Sequence, residues 1–471
     1  MTLPSLAQHV ISTKYRDVAG KRIGVLGLAR SGIAVLEFLS VRGAQLIALD
    51  SKPLNELSPE ARQAVNLAVE VICPCTTPDQ LPQALDMLVV APGVPTDSPL
   101  ILAAREHGVE VIGEVELAYR FADVPFIAVT GTNGKGTTCT AIGAMLEAAQ
   151  IPHVVAGNIG IALISQMEKS SELKVIVAEI SSYQLETTVH FHPYISILLN
   201  ITEDHMERYH TFEPYIAAKQ LIFQNQTDSD RAILCTDDPL TAEVAKHLTV
   251  PQLHVSLNDQ SAAAHLTADG MLQMQLPESN EIITLAKRSE LPLQGLHHVT
   301  NFLVASLAAG LCGADAPAMH KALLSYATAP HLMAFVTEVQ GVRYIDDSKA
   351  TNPASALADL QGINGPLIVI AGGKEKDTDF VEFGQVLAQR ARRIFLMGEC
   401  APRIEEAVAR PGLCRRVGSM EEAVSLAVQG ARPGDTVILC PGCSSLDMFA
   451  SYATRGDEFV EAVRKLTAQS T

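Results

Sequence analysis

The run Pro125-Phe126-Ile127-Ala128-Val129-Thr130-Gly131-Thr132-Asn133-Gly134-Lys135-Gly136-Thr137-Thr138 decides the fold. Its first six residues are a short apolar stretch, the pattern of a buried strand, and a helical pattern runs on through Leu146. A strand that enters a helix through glycines lets backbone N–H groups point at phosphate oxygens. The helix N-terminus adds its partial positive charge. Lys135 then reaches the β- and γ-phosphates, and a hydroxyl just after it holds Mg2+. The bland alternative is a glycine-rich turn with an exposed lysine. It fits poorly, because strand, glycines, lysine, hydroxyls and helix come in the order that phosphate binding requires. Val129 stands where the first glycine of G-x-x-x-x-G-K-[ST] would be, so the loop is a shorter variant. Gly131, Thr132, Asn133, Gly134, Lys135, Gly136, Thr137 and Thr138 are the candidate ATP-binding residues.

On the N-terminal side, Arg22 to Gly27 reads as a strand ending in glycine, Ile33 to Leu39 as a helix, and Gln45 to Asp50 as a strand ending in an acid. This is a Rossmann-like half. The glycines Gly24, Gly27 and Gly32 do not form G-x-G-x-x-G, so the turn suits a mononucleotide or UDP-sugar as well as a dinucleotide. Leu88 to Val90 is a further strand, stopped by a Pro/Gly turn. On the C-terminal side, strands are predicted at Val175–Ala178, Ile195–Leu199, Leu367–Ile370, Arg393–Leu396 and Thr436–Leu439. Strands alternating with helices indicate parallel sheets. The expected class is α/β in three domains: a Rossmann-like one over residues 1–118, a central P-loop domain over 119–327, and a second Rossmann-like one over 328–471.

Glu179 and His205 each follow an apolar strand, where ligand sites of open α/β sheets lie, and both can ligate a divalent ion. Alone, His205 is more often a hydrogen-bonded structural histidine; Asp204, Glu179 and the phosphate loop weigh against that. Lys219, by itself, reads as a surface lysine.

The chain has 471 residues and a net charge of -17, with 48% apolar and 18% charged residues. That length suggests two to four domains. The acidic balance argues against broad binding to nucleic acid or anionic membrane. Met1 to Val18 lacks a basic region followed by a long apolar run, and no stretch has a membrane span's length, so a cytoplasmic protein without membrane insertion is expected. The nine cysteines include one C-x-x-C, Cys440 and Cys443, with no second pair to complete a zinc site. Two reduced thiols near a strand end is the favoured reading.

Further motifs extend over almost the whole chain: Gly27-Leu28-Ala29-Arg30-Ser31-Gly32, Ala91-Pro92-Gly93-Val94-Pro95, Ala156-Gly157-Asn158-Ile159-Gly160, Asp346-Asp347-Ser348-Lys349-Ala350-Thr351-Asn352, Ala371-Gly372-Gly373-Lys374-Glu375-Lys376, and Pro441-Gly442-Cys443-Ser444-Ser445-Leu446-Asp447-Met448-Phe449. With the G-T-x-G-K loop, they resemble the Mur ligase family in its D-glutamate-adding branch. Gly136, directly after the lysine, is similar to the loop of the sister folylpolyglutamate synthases and makes Thr137 the expected Mg2+ hydroxyl.

The resemblance implies ATP-dependent ligation of D-glutamate to UDP-N-acetylmuramoyl-L-alanine through an acyl phosphate, in peptidoglycan precursor synthesis, by a monomer. It implies that Leu28, Ala29, Arg30, Ser31, Asp50, Ser51 and Asn158 bind the UDP substrate. Asn301 and Asp347 join the ATP site, and Lys349, Thr351, Lys376, Ser445, Leu446 and Tyr452 surround D-glutamate. Two Mg2+ ions are expected on Thr137, Glu179, His205 and Lys219, with Lys219 carbamylated; a desolvated, neutral amine suits that modification. Lys135, His205 and Lys219 are the expected catalytic residues.

The sequence departs from the family at His298, where the family has asparagine, at Leu332, where it has arginine, and at Ala334, where it usually has an acid. The first two positions serve the nucleotide. The rival readings are a different amino-acid ligase of the superfamily, adding L-glutamate or extending a folate tail, and a nucleotide-binding homologue with reduced or lost catalysis.

Overall fold

A computed structural model describes residues 13–277, 279, 281–363, 365–374 and 379–468. The strands form three sheets, each the centre of one α/β domain. The first contains β1 (Arg22–Leu26), β2 (Gln45–Leu49), β3 (Glu70–Ile72), β4 (Met87–Val90) and β5 (Glu110–Gly113), in the order β3-β2-β1-β4-β5, all parallel. The second contains β6 (Phe126–Thr130), β7 (His153–Gly157), β8 (Val175–Glu179), β9 (Ile195–Leu198), β10 (Arg231–Cys235), β11 (Gln252–Ser256), β12 (Ala264–Leu266), β13 (Met271–Met274) and β14 (Ile283–Lys287). Its order is β14-β13-β12-β11-β10-β9-β6-β8-β7, antiparallel only where β12, β13 and β14 pair. The third contains β15 (Ala334–Val339), β16 (Val342–Asp346), β17 (Leu367–Gly372), β18 (Ala391–Met397), β19 (Cys414–Arg416) and β20 (Thr436–Leu439), ordered β15-β16-β20-β17-β18-β19 with β15 antiparallel at the edge.

The apolar runs of the sequence became the central strands. Every residue of β4, β6, β8, β9, β17 and β20 is buried. Helices cover both faces of a parallel sheet, so its inner strands are continuous hydrophobic runs. In the first domain Leu26, Ile47, Leu49, Leu88 and Val90 build one such core. In the third, Val369, Ile394 and Ile438 face one side, and Ile368, Phe395 and Val437 the other. The edge meander β12–β14 has only short, partly buried strands, which is why no apolar run announced it.

The chain divides into two compact units. One holds the first two sheets; the other holds the third sheet with Thr202–Phe212 and Leu291–Val299. In the first unit the two domains are tied through the helix Glu114–Phe121. Glu116, fully buried, accepts hydrogen bonds from the backbone N–H groups of Val189, His190 and Phe191 and pairs with Arg120 at 3.0 Å. Glu114 accepts from the N–H of Ile164. The expected boundary at residue 118 falls inside this helix. Among the described residues, no helix is long and apolar enough to cross a membrane.

The topology explains why the candidate residues lie where they do. Leu28 follows β1, Gly131 follows β6, Glu179 ends β8, Asn200 follows β9, Asp347 follows β16 and Cys440 follows β20. All stand at carboxyl ends of parallel strands, where open α/β sheets place their ligands.

Candidate functional site

The phosphate loop has the expected conformation. β6 ends at Thr130, and the helix Lys135–Ala148 begins after Gly134, whose φ of +85° is left-handed. A Cβ there would stand 2.5 Å from Oδ1 of Asn301, so a larger residue would have to displace that amide as well as adopt the left-handed backbone. Asn200 clamps the loop. Its Oδ1 accepts from the N–H of Asn133 at 2.8 Å, its Nδ2 donates to the Asn133 carbonyl at 3.0 Å, and its own carbonyl accepts from the N–H of Thr132. Lys135 Nζ folds over the loop and donates to the carbonyls of Gly131 and Thr132 at 2.9 and 2.8 Å. An ammonium has three protons, so a third remains for a ligand. Asn200 and Tyr215, whose OH lies 3.1 Å from Thr132 Oγ1, were not among the residues expected to act here.

Beside the loop, Glu179 and Asn158 are joined. Asn158 Nδ2 donates to Glu179 Oε1 at 2.7 Å, and the Asn158 N–H donates to the Glu179 carbonyl. Gly157, at φ +112°, lets the two strands approach, because a Cβ would meet the Glu179 carbonyl oxygen at 2.4 Å. Thr137 and Glu179 are both buried, and the hydroxyls of Thr130 and Thr138 are buried without a hydrogen-bond partner. A hydroxyl and a carboxylate are hard oxygen donors and fit Mg2+. Lys219, in the helix Phe212–Gln220, is only 1% exposed, against the surface reading, and its Nζ lies 4.4 Å from the Tyr215 ring centroid.

The first β–α turn shows how two expected UDP-site residues are used. Asp50 Oδ2 accepts from the N–H of Leu28 at 2.7 Å, and its Oδ1 from that of Lys52. Arg30 donates to the carbonyls of Gly160, Gly157 and Asn158 at 2.7, 3.1 and 3.1 Å, so it holds the turn that carries Asn158. Ala29 and Arg30 line a cavity of about 600 Å³ with Ile33, Ser58, Gly160 and Ser165. Ser31 lies in the first turn of the adjoining helix Arg30–Ser40, and Ser51 is exposed.

In the second unit His205 has a left-handed φ of +62°; its N–H donates to Asp204 Oδ1, and its Nδ1 lies 3.4 Å from Glu207. Lys349 and Tyr452 come together, with Nζ 5.3 Å from the ring centroid. Ser445 is buried, Leu446 is exposed, and Thr351 is half-buried. Lys376 lies outside the described residues. The device that assembles this region is Arg455, 1% exposed. It donates to Ser348 Oγ, to the Ser348 carbonyl and to the Cys443 carbonyl at 2.9, 2.8 and 3.0 Å. Ser348 in turn donates to the carbonyl of Tyr452. Asp347 is fully buried: its carboxylate accepts from the N–H of Met333, and burial with the nearby Asp359 charge pushes it well above the usual range. That hydrogen bond holds the 333 turn. The Cys440 thiol donates to Asp347 and is itself pushed well up by burial, so the C-x-x-C is two buried free thiols.

The departures have clear surroundings. Leu332 is buried, and Ala334 opens β15. His298 is buried next to His297 and Asp359, and Arg343 lines the same cavity.

The comparisons agree with this geometry. Residues 21–113 match the family described as "Mur ligase MurD-like, N-terminal domain", residues 129–309 the "Mur ligase middle domain" and residues 333–443 the "Mur ligase, glutamate ligase domain". The chain is 38% identical over 450 residues to the UDP-N-acetylmuramoylalanine–D-glutamate ligase of Geobacter metallireducens, covering 96% of this chain and 98% of that one. It is 38% identical to the enzyme of the same name from Pelotomaculum thermopropionicum, covering 96% and 99%. Its fold is similar to that of the MurF ligase of Thermotoga maritima in complex with ADP, with a TM-score of 0.60 at 15% identity over 100% of both chains. MurF of Acinetobacter baumannii gives 0.61 at 17%, covering 96% of this chain and 92% of that one. Matched in all three of its domains and along almost its whole length, the chain belongs to the Mur ligase family.

Proposed function

We propose that this protein joins D-glutamate to UDP-N-acetylmuramoyl-L-alanine at the expense of ATP, the reaction for which its 38%-identical relatives are named. The observation that carries the ATP half is the loop clamped by Asn200, with Lys135 curled over it. The reaction runs in two steps. A carboxylate oxygen of L-alanine attacks the γ-phosphorus of ATP, the bond to the β-phosphate oxygen breaks, and ADP leaves from an acyl phosphate. The D-glutamate amine then attacks the acyl carbon, inorganic phosphate departs with that carboxylate oxygen, and the amine gives up a proton. Activation is required because a carboxylate is a poor electrophile.

Lys135 offers its charge to the transferring phosphoryl group, where it binds more strongly as charge develops. Gly131 to Thr138, Asn301 and Asp347 hold the nucleotide. Leu28, Ala29, Arg30, Ser31, Asp50, Ser51 and Asn158 make the UDP-substrate site, and the cavity beside Ala29 and Arg30 supports that reading. Lys349, Thr351, Lys376, Ser445, Leu446 and Tyr452 bind D-glutamate; Lys349 offers its two carboxylates a cation. Thr137, Glu179 and Lys219 as a carbamate are the residues to hold Mg2+, which supplies charge neutralisation on the phosphates, and His205 is the imidazole donor. The enzyme works as a cytoplasmic monomer with functional domains over 1–118, 119–327 and 328–471.

Phosphate release with MgATP and UDP-N-acetylmuramoyl-L-alanine, supplied with D-glutamate, L-glutamate or a folate in turn, tests the reading. Release that depends on D-glutamate is expected. Release only with L-glutamate or folate would transfer the protein to another branch, and none with any acceptor would leave a nucleotide-binding protein.

A further inference from the structure

The position at which the sequence exchanges the family's asparagine for His298 has produced a cluster of a kind that metal ions use. His297 and His298 sit in the first turn of the helix Leu296–Leu311, and Asp359 lies in the helix Pro353–Gly362. Their donor atoms are all within 4.8 Å of one another. His297 Nε2 is 3.0 Å from Asp359 Oδ1, and His298 Nε2 is 3.3 Å from the same oxygen. Bonds of about 2.0–2.2 Å in a tetrahedral zinc site separate neighbouring donors by about 3.3–3.5 Å, so small adjustments would seat an ion among these three.

The simpler account is a structural histidine–aspartate pair held together by protons. It serves His297, which has a hydrogen bond to Asp359. It serves His298 poorly: the ring is 4% exposed, its Nδ1 has no hydrogen-bond partner, and its Nε2 stands 3.3 Å from Asp359 Oδ1 in a contact too poorly aligned for a good hydrogen bond. A buried polar group without a partner is costly, and natural folds rarely keep one without a reason. A cation seated between His298, His297 and Asp359, whose donor atoms already lie within 4.8 Å of one another, would supply the missing partner.

We infer that His297, His298 and Asp359 form a binding site for a divalent transition-metal ion of the zinc class. Two imidazoles and one carboxylate suit Zn2+ better than Mg2+, which prefers a mostly oxygen donor set. Three protein ligands leave a fourth position. The three residues line a cavity of about 320 Å³ with Gln294, Met333 and Arg343, which gives a water molecule room to take that position. All the residues belong to the second unit, so the site draws on none of the groups proposed for the phosphate loop.

The test uses the full chain, reduced, stripped with chelator, free of nucleotide and titrated with Zn2+ by equilibrium dialysis. The wild type should hold one equivalent that His298→Asn and Asp359→Asn bind at least tenfold more weakly, while Glu179→Gln keeps it. His297 is only half-buried, so His297→Ala serves as the second probe if Asp359→Asn fails to fold by circular dichroism. Co2+ in place of Zn2+ should give visible d–d bands without a near-ultraviolet sulfur charge-transfer band. Zn2+ binding unchanged in the histidine and aspartate variants, a thiolate band assigning the ion to cysteines, or no bound equivalent in the wild type would each overturn the proposal.

Discussion

Lys135 folds back over its own loop and donates to the carbonyls of Gly131 and Thr132. Lys135 was legible, because the glycines and strand around it are adjacent in sequence and each has a local physical reason. Lys135→Ala should lower kcat about 10²–10³-fold, the usual cost of removing one contact made to developing charge; an unchanged kcat would mean that the loop does not hold the reacting phosphate. Lys219 read by itself as a surface residue, and only the family resemblance pointed elsewhere; the structure buries it against Tyr215. If it acts as a carbamate, Lys219→Ala should lose nearly all turnover, and added formate, a small carboxylate, should restore part of it. Full activity in the variant would remove Lys219 from the mechanism. The residues that sequence did not reveal act over long separations. Asn200 clamps a loop 67 positions away and Arg455 bonds Ser348 across 107. Neither spacing follows a helix or strand period, so no pattern marks them. His298 was visible as a departure, but its partner Asp359 was not.

At the scale of elements, apolar runs located β6, β8, β9, β17, β18 and β20 to within about two residues but missed the parallel strands β10 and β11; β20 spans Thr436–Leu439, as its sequence suggests. The edge strand β3 and the meander strands β12, β13 and β14 escaped as well, since short, partly buried segments carry little hydrophobic signal. The turn between β6 and its helix depends on Gly134 for two independent reasons, its left-handed backbone and the nearness of Asn301. Gly134→Ala should therefore weaken binding of an ATP analogue at least tenfold while leaving circular dichroism unchanged; wild-type affinity would show that the loop relaxes freely. The helix Glu114–Phe121 offers a pH test. Burial pushes the Glu114 carboxyl up from 4.5 to about 7, against the opposing bond from the Ile164 N–H and the charge of Arg30. Because the folded state favours the neutral acid, its stabilisation is complete below about pH 4.5 and is lost as pH rises through about 7. Glu114→Gln cannot ionise. Its melting temperature relative to wild type should rise between about pH 5 and pH 8, by an amount on the order of 3 kcal/mol in stability. The same offset at both pH values would contradict this assignment.

For the whole molecule, three α/β domains were foreseeable from alternating strands and helices, and the family match bears out that class. The grouping of Thr202–Phe212 and Leu291–Val299 with the third sheet was not, because it depends on contacts between segments far apart in the chain. Binding to the folded state alone stabilises it by mass action, about 2.7 kcal/mol at a hundredfold excess over Kd. An ATP analogue with Mg2+ should raise the melting temperature of the wild type clearly more than that of Gly134→Ala; equal shifts in both would show that the loop accommodates the added methyl group. The central claim is that the clamped loop spends ATP on a carboxylate, and oxygen-18 tests it most directly. UDP-N-acetylmuramoyl-L-alanine labelled in the alanine carboxylate is turned over once with MgATP and D-glutamate, and the released phosphate is analysed by mass spectrometry. An acyl phosphate requires one labelled oxygen in each phosphate released. Product formed with unlabelled phosphate, the expelled carboxylate oxygen appearing in water instead, would contradict the account.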